Sequence, residues 1–189
     1  MNIIVRPYCQ TGHYCRPDTT WERENRDFYV PDGITEIHWA PVVFARISKA
    51  GKCIGAKFTE RYYDSFNFGA LLYCIETLGG TREVAFTSHT DHSSILPSPL
   101  YNPVVMGSAD NEYIVMKNGE EIFRTDTTSI KQLLEEAING ASMRTSLRIG
   151  DYVAVELSPV MQLTSAVNDE TVLKATFCDN DLYEMKVIY

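Results

Sequence analysis

The chain has 189 residues, a length that suits one ordinary domain and crowds two. Hydrophobic residues make up 44% and charged residues 22%, which is enough apolar material for a buried core and excludes a disordered chain. The formal net charge of −8, from 17 Lys+Arg against 25 Asp+Glu, excludes a duplex-wrapping protein, because phosphate contacts need a basic face, and no nucleic-acid partner is expected.

Residues 1–7 carry neither a basic leader nor a hydrophobic stretch for export. The longest apolar run, residues 69–75, is too short to cross a bilayer. A cytoplasmic protein without a membrane partner is the expectation. Residues 6–36 are polar and irregular, with Pro7, Pro17 and the turn Pro31-Asp32-Gly33. Residues 1–36 therefore read as an N-terminal arm packing on a main body of residues 37–189. Five cysteines are an odd number without an export signal, so reduced thiols are expected. Cys9, His13 and Cys15 form the one tight group. Their spacing lacks the paired arms that close a tetrahedral zinc site, and His13 reads as a surface residue. Cys53, Cys74 and Cys178 read as small core residues.

Strand signals accumulate from Ile34 onward. Residues 42–47, a turn at 49–52 and Cys53-Ile54 predict a hairpin. Residues 66–75 form the most buried-looking strand. Residues 111–126 predict a second hairpin, turning at Asn118-Gly119, the dipeptide best suited to a type I′ turn. Ile130, Leu133, Leu134, Ala137 and Ile138 make an apolar stripe at helical spacing, which predicts a helix over 129–139. Ser129 and Gln132 supply a capping box and Asn139-Gly140 a stop. A turn at 148–151 leads into a strand at 152–157, and two closing strands follow at 172–178 and 182–188. Many strands with one clear helix give a mostly-β, α+β domain rather than a doubly wound sheet.

The second half runs in a recognisable order. A strand, Asn118-Gly119-Glu120, a strand, Thr127-Thr128-Ser129 and the amphipathic helix precede Thr145-Ser146-Leu147-Arg148-Ile149-Gly150-Asp151 and a further strand. Upstream stand Pro41-Val42-Val43-Phe44-Ala45-Arg46 and the turn at Gly51. This series resembles the C-terminal domain of the fumarylacetoacetate hydrolase family over residues 38–158. The resemblance implies a rolled, mixed but mostly antiparallel β-structure with one flanking helix, forming homodimers. It also implies a chemistry: magnesium or manganese, held by a Glu-x-Glu pair on a strand and a further acidic residue, polarises a carbonyl or enolate of a small oxo acid. A hard cation takes oxygen ligands, and residues i and i+2 share one strand face.

The departures from that pattern carry the functional reading. The resemblance sets Ser65 and Asn67 where the family has its two glutamates. The long segment that carries the family's third ligand and catalytic lysine shortens to residues 76–86. Val155-Glu156-Leu157-Ser158-Pro159 stands in place of a threonine-glycine-threonine-proline stretch that helps line the site. The scaffold is kept and the ordinary metal site is lost, so no metal or other cofactor is expected.

Several residues remain that can carry chemistry. His89, Asp91 and His92 lie in the densest polar cluster, and in an extended segment His89 and Asp91 share a face, so a carboxylate orients an imidazole as general base, or the cluster holds a transition metal with a partner from elsewhere. The plainer reading is a polar surface loop. Glu156 sits inside an apolar strand, where burial fits it for a general acid, or it is an alternating solvated position. Tyr63, Ser65 and Asn67 line a pocket in one reading and the mixed face of a strand in the other. Arg46, aligned with a family lysine, binds a carboxylate or ends a strand at the surface. His38 reads as packed.

Three functions follow. The leading one is a divergent protein of this family type that binds a small acidic, oxo-acid-like ligand, its chemistry altered or absent. The second is a hydrolase, isomerase or decarboxylase acting through His89, Asp91 and His92. The third is a structural or assembly domain, which a pocket plugged by apolar side chains favours.

Overall fold

Two long antiparallel strands, β5 (Ile34–Ile47) and β6 (Tyr63–Glu76), form the frame of the molecule. The computed structural model describes residues 1–76, 87–167 and 170–189. Residues 40–45 of β5 and 66–75 of β6 are buried throughout, which is why they read as near-continuous apolar runs rather than alternating ones. Pro41 lies mid-strand, where the partner of β5 changes. On one side of it Val42–Arg46 pair with β10 (Tyr152–Glu156), and on the other Glu36–Trp39 pair with β11 (Met161–Ser165). A proline cannot donate to a ladder and is tolerated at such a break.

Around this frame lies an eight-stranded mixed sheet. Its order is β2 (Tyr14–Arg16), β1 (Ile3–Arg6), β10, β5, β6, β7 (Ser94–Ile95) and β3 (Trp21–Glu22), with β11 on β5. The first 36 residues supply four strands. In one of them, β1, Ile3, Ile4 and Val5 are completely buried between β2 and β10. A second sheet has the order β4 (Phe28–Tyr29), β13 (Asn180–Ile188), β12 (Glu170–Phe177), β8 (Glu112–Lys117) and β9 (Glu120–Asp126). Helix α1 (Ile130–Arg144) packs its Ile130, Leu134, Ala137, Ile138 and Ala141 stripe into the main core. The architecture is α+β and mostly β, as the order of signals implied.

Each face of the large sheet has its own cluster. One carries Phe66, Phe68, Tyr113 and Phe177 in mutual ring contact, with Phe68 stacked on Tyr113 at 4.6 Å. Such side chains contribute about 1.5–3 kcal/mol each on burial. The other face carries Ile3, Val5, Phe44, Leu71, Tyr73, Tyr152 and Ala154. The 111–126 hairpin turns where expected: Asn118 and Gly119 have φ of 50° and 85°, as a type I′ turn requires, and the Asn118 side chain accepts the Val172 N–H at 2.8 Å.

Three local expectations are corrected. Residues 42–47 do not hairpin onto Cys53-Ile54. The chain passes through a 3-10 turn, Ala56–Arg61, and returns as β6, leaving Cys53 exposed. The helix does not stop at Asn139-Gly140 but runs to Arg144; Gly140 lies inside it against His13, where a Cβ would meet the imidazole Cε1 at 2.8 Å, so the glycine serves packing rather than a stop. The capping box is not formed: Gln132 donates to Glu136 within the helix, and Asp126 caps the preceding turn by accepting from the Thr128 N–H at 2.7 Å.

Gly69 is required by close approach, since a Cβ there would lie 2.2 Å from the Ile95 carbonyl oxygen. Gly69→Ala is expected to lower stability by about 1–3 kcal/mol in urea melts, while Gly12→Ala, with nothing within 4 Å, leaves it unchanged. Equal midpoints for the two variants would contradict this packing.

Candidate functional site

Cross-strand register places the candidate residues in rows on one face of the large sheet. Ser65, Arg46 and Tyr152 form one row, Asn67, Phe44 and Ala154 the next, and Gly69, Val42 and Glu156 the third. The segment after β7 crosses this face. Asn67 is fully buried; its Nδ2 donates to the Pro97 and Pro99 carbonyls at 3.2 and 3.0 Å, and its Oδ1 accepts the Phe68 N–H at 2.8 Å. The expected concavity shared by Ser65 and Asn67 is therefore not formed at Asn67, whose amide is fully engaged. Ser65 donates to Asp64 at 2.9 Å. A hydroxyl and an engaged amide are not a donor set for a hard dication. Among the described residues no three His, Cys, Asp or Glu side chains come together to hold a metal ion.

At the edge of the same face Arg46 is exposed, and Tyr152 meets the Trp21 ring edge-on at 5.3 Å. Burial pushes the Tyr152 hydroxyl up, and the positive charges of Arg46 and Arg23 offset part of that rise. Arg23 lies over the Trp21 ring at 5.1 Å. Trp21 and Arg23 also border a shallow concavity of about 300 Å³ with Arg26 and His92. Tyr63, by contrast, is buried on the helix side, its hydroxyl 3.5 Å from Glu135.

The His89, Asp91 and His92 cluster is a turn rather than an extended segment. His89 and Asp91 are exposed, and nothing among the described residues joins them. His92 pairs instead with Glu22, Nδ1 to Oε2 at 3.0 Å, a carboxylate only 3% exposed. The two lie 70 positions apart, and no local spacing signals the pair. Glu156 is not among them.

Glu156 stands elsewhere, 4% exposed at the end of β10. Its Oε1 accepts from the Tyr73 hydroxyl and lies 3.4 Å from the Tyr14 hydroxyl, and its Oε2 accepts the Tyr8 N–H at 3.0 Å. Burial pushes both tyrosine hydroxyls well above their usual range, so they stay protonated. Arg16, buried and stacked on the Tyr73 ring at 5.1 Å, donates to the Ser88 and Leu72 carbonyls at 2.7 and 2.5 Å. His38 is packed beside Glu36 at 3.0 Å, as expected. His13 is not a surface residue in the expected sense, because both ring nitrogens are buried without a hydrogen-bond partner.

By sequence no family model and no curated protein matches the chain. By structure it is similar to fumarylpyruvate hydrolase from Pseudomonas aeruginosa in complex with Mn2+ and pyruvate. The two are 18% identical with a TM-score of 0.75, over 100% of this chain and 89% of that one. It is also similar to 5-carboxymethyl-2-hydroxymuconate delta-isomerase from Mycobacterium smegmatis, 13% identical with a TM-score of 0.76, over 99% and 78% of the two chains. Maleylpyruvate hydrolase from Sphingobium sp. SYK-6 matches at 16% identity and a TM-score of 0.69, over 99% and 69%. The chain has the fold of fumarylacetoacetate hydrolase family proteins, as the ordered motifs implied. Among the described residues no helix is long and apolar enough to cross a membrane.

His13 gives a pH dependence with a definite sign. Burial holds its imidazole below the usual range; the nearby Ala137 backbone opposes this, and Arg6 and Arg144 add to the lowering. An unfolded chain then binds more protons than the folded one, so stability is complete above about pH 6.5 and falls as the pH drops through that value. Urea melts at pH 7.5 and 5.5 should show a larger acid loss for the parent than for His13→Leu; equal losses would contradict a neutral, buried His13.

Proposed function

We propose that this protein binds a small acidic, oxo-acid-like ligand without a metal, the ordinary metal site of its structural neighbours having been replaced and the chemistry altered or absent. The observation that carries this reading is Asn67. At the position where the resemblance expects the second carboxylate, a neutral amide is buried and engaged by two backbone carbonyls. The positive charge that a cation would supply comes from arginine instead. Arg46 shares a row with Ser65 and Tyr152, and Arg23 acts on the same Tyr152 hydroxyl from β3 and its following turn. Guanidinium groups suit carboxylates because their donors form a rigid fork. One neighbour holds pyruvate together with Mn2+, which supplies the ligand class to test.

The structural or assembly reading has one observation in its favour. The face around Asn67 is filled by Phe44, Leu71, Leu96 and Tyr152, leaving the ligand only its rim.

Calorimetric titration of pyruvate and fumarate, in chelator and again with Mn2+, separates the two. Binding of equal strength in both buffers is expected, weakened about tenfold, or about 1.4 kcal/mol, by Arg46→Ala. Binding that requires Mn2+ would overturn the proposal. Absence of binding in both buffers would leave the structural reading.

A further inference from the structure

Glu156 serves no role in the acidic-ligand reading, yet it is a buried carboxylate at the wall of a cleft at the opposite end of β10 from Tyr152. That cleft, about 420 Å³, lies between the turn after β1, the end of β10 and the first turns of α1. Two neutral donors reach the Glu156 oxygens, the Tyr73 hydroxyl and the Tyr8 backbone N–H, while the Tyr14 hydroxyl donates to that of Tyr73 at 2.6 Å, and among the described residues no cation pairs with the carboxylate. Arg16 reaches the ring of Tyr73 rather than the carboxylate. Arg6, which also lines the cleft, pairs with Glu136 at 3.3 Å. One arginine and two glutamates give the lining a net charge of −1. An anion entering the cleft meets that charge; a cation relieves it.

The rest of the lining specifies the shape of the cation. Ile130, Leu133, Val155 and Leu157 form apolar walls, which suit a hydrocarbon chain and not a fully hydrated ion. The amino end of α1, carrying partial positive charge, disfavours an ammonium group at Ile130 and leaves that end of the cleft to the chain. Four acceptor positions on a carboxylate and two donors in place leave two for incoming N–H groups. A charge-assisted bond formed there, away from bulk water, is worth more than the same bond at the surface.

We infer that this cleft is a binding site for a small primary alkylammonium ion, its head on Glu156 and its chain along Ile130 and Leu133. The site is independent of Arg46 and Arg23, so it stands or falls separately from the acidic-ligand reading.

The test uses n-butylammonium chloride against sodium butyrate at matched ionic strength, with the full chain and with Glu156→Gln. Thermal melts of the parent should rise with n-butylammonium and not with butyrate. Glu156→Gln, which keeps the size and an acceptor oxygen, should bind n-butylammonium about tenfold or more weakly. Should Glu156→Gln fail to melt cooperatively, shifts of the Leu133 and Val155 methyl resonances in the parent give the same answer. Shifts with n-butylammonium alone support the site. A parent that ignores n-butylammonium, a folded Glu156→Gln that binds it undiminished, or an equal response to butyrate would overturn the inference.

Discussion

The side-chain amide of Asn67 fixes what the rest of this face can be. It sits at zero exposure on the longest strand pair of the molecule and bridges two carbonyls of the segment that crosses above it. An amide there satisfies three backbone groups, Pro97 O, Pro99 O and Phe68 N–H, that burial would otherwise leave unpaired at about 1–3 kcal/mol each. A carboxylate could accept the N–H but would set its second oxygen against carbonyl oxygens. The segment can close on the sheet only because the residue beneath it is neutral and carries both a donor and an acceptor. Gly69, one row along, makes the same approach possible by having no Cβ to meet Ile95 O.

The cations of this half of the molecule are arranged around that closed face. Arg16 is completely buried and has backbone partners from β6 and from residues 88 and 93, so it ties β2 and the stretch that precedes β7 to the sheet. A buried guanidinium held by three carbonyls and the Ser93 hydroxyl is costly to disturb, since removing its partners leaves a charge in a poor dielectric. Arg46 and Arg23 remain at the rim, Arg23 within 4.0 Å of the Glu24 carboxylate. The face thus combines a sealed centre with an edge that carries arginines beside glutamates, and the proposed metal-free recognition rests on those arginines.

Much of this was legible in the sequence, and what was not has identifiable causes. The Asn118-Gly119 hairpin and the α1 stripe are local signals, fixed by turn chemistry and by helical spacing, and both stand as read. The ordered motifs gave the fold because they report a chain path rather than a contact. The helix end was misplaced because Gly140, a stop signal on its own, is demanded by His13 more than a hundred positions away. The Glu22–His92 pair and the engagement of Asn67 by Pro97 and Pro99 escaped for the same reason: tertiary pairing leaves no periodic trace. Glu156 was singled out for its apolar surroundings, but its tyrosine partners, Tyr14 and Tyr73, lie on other strands and gave no sign.

The claim that Asn67 closes this face, in place of a metal-holding pair, is tested most directly by melting Ser65→Glu/Asn67→Glu beside the parent with and without Mn2+. The account predicts a double variant destabilised by about 3 kcal/mol or more, because a carboxylate replaces a satisfied buried amide, and no recovery on adding Mn2+. A double variant restored to or above the parent's melting temperature by Mn2+ would show that both positions open onto one cation-accessible cavity, and would contradict the account.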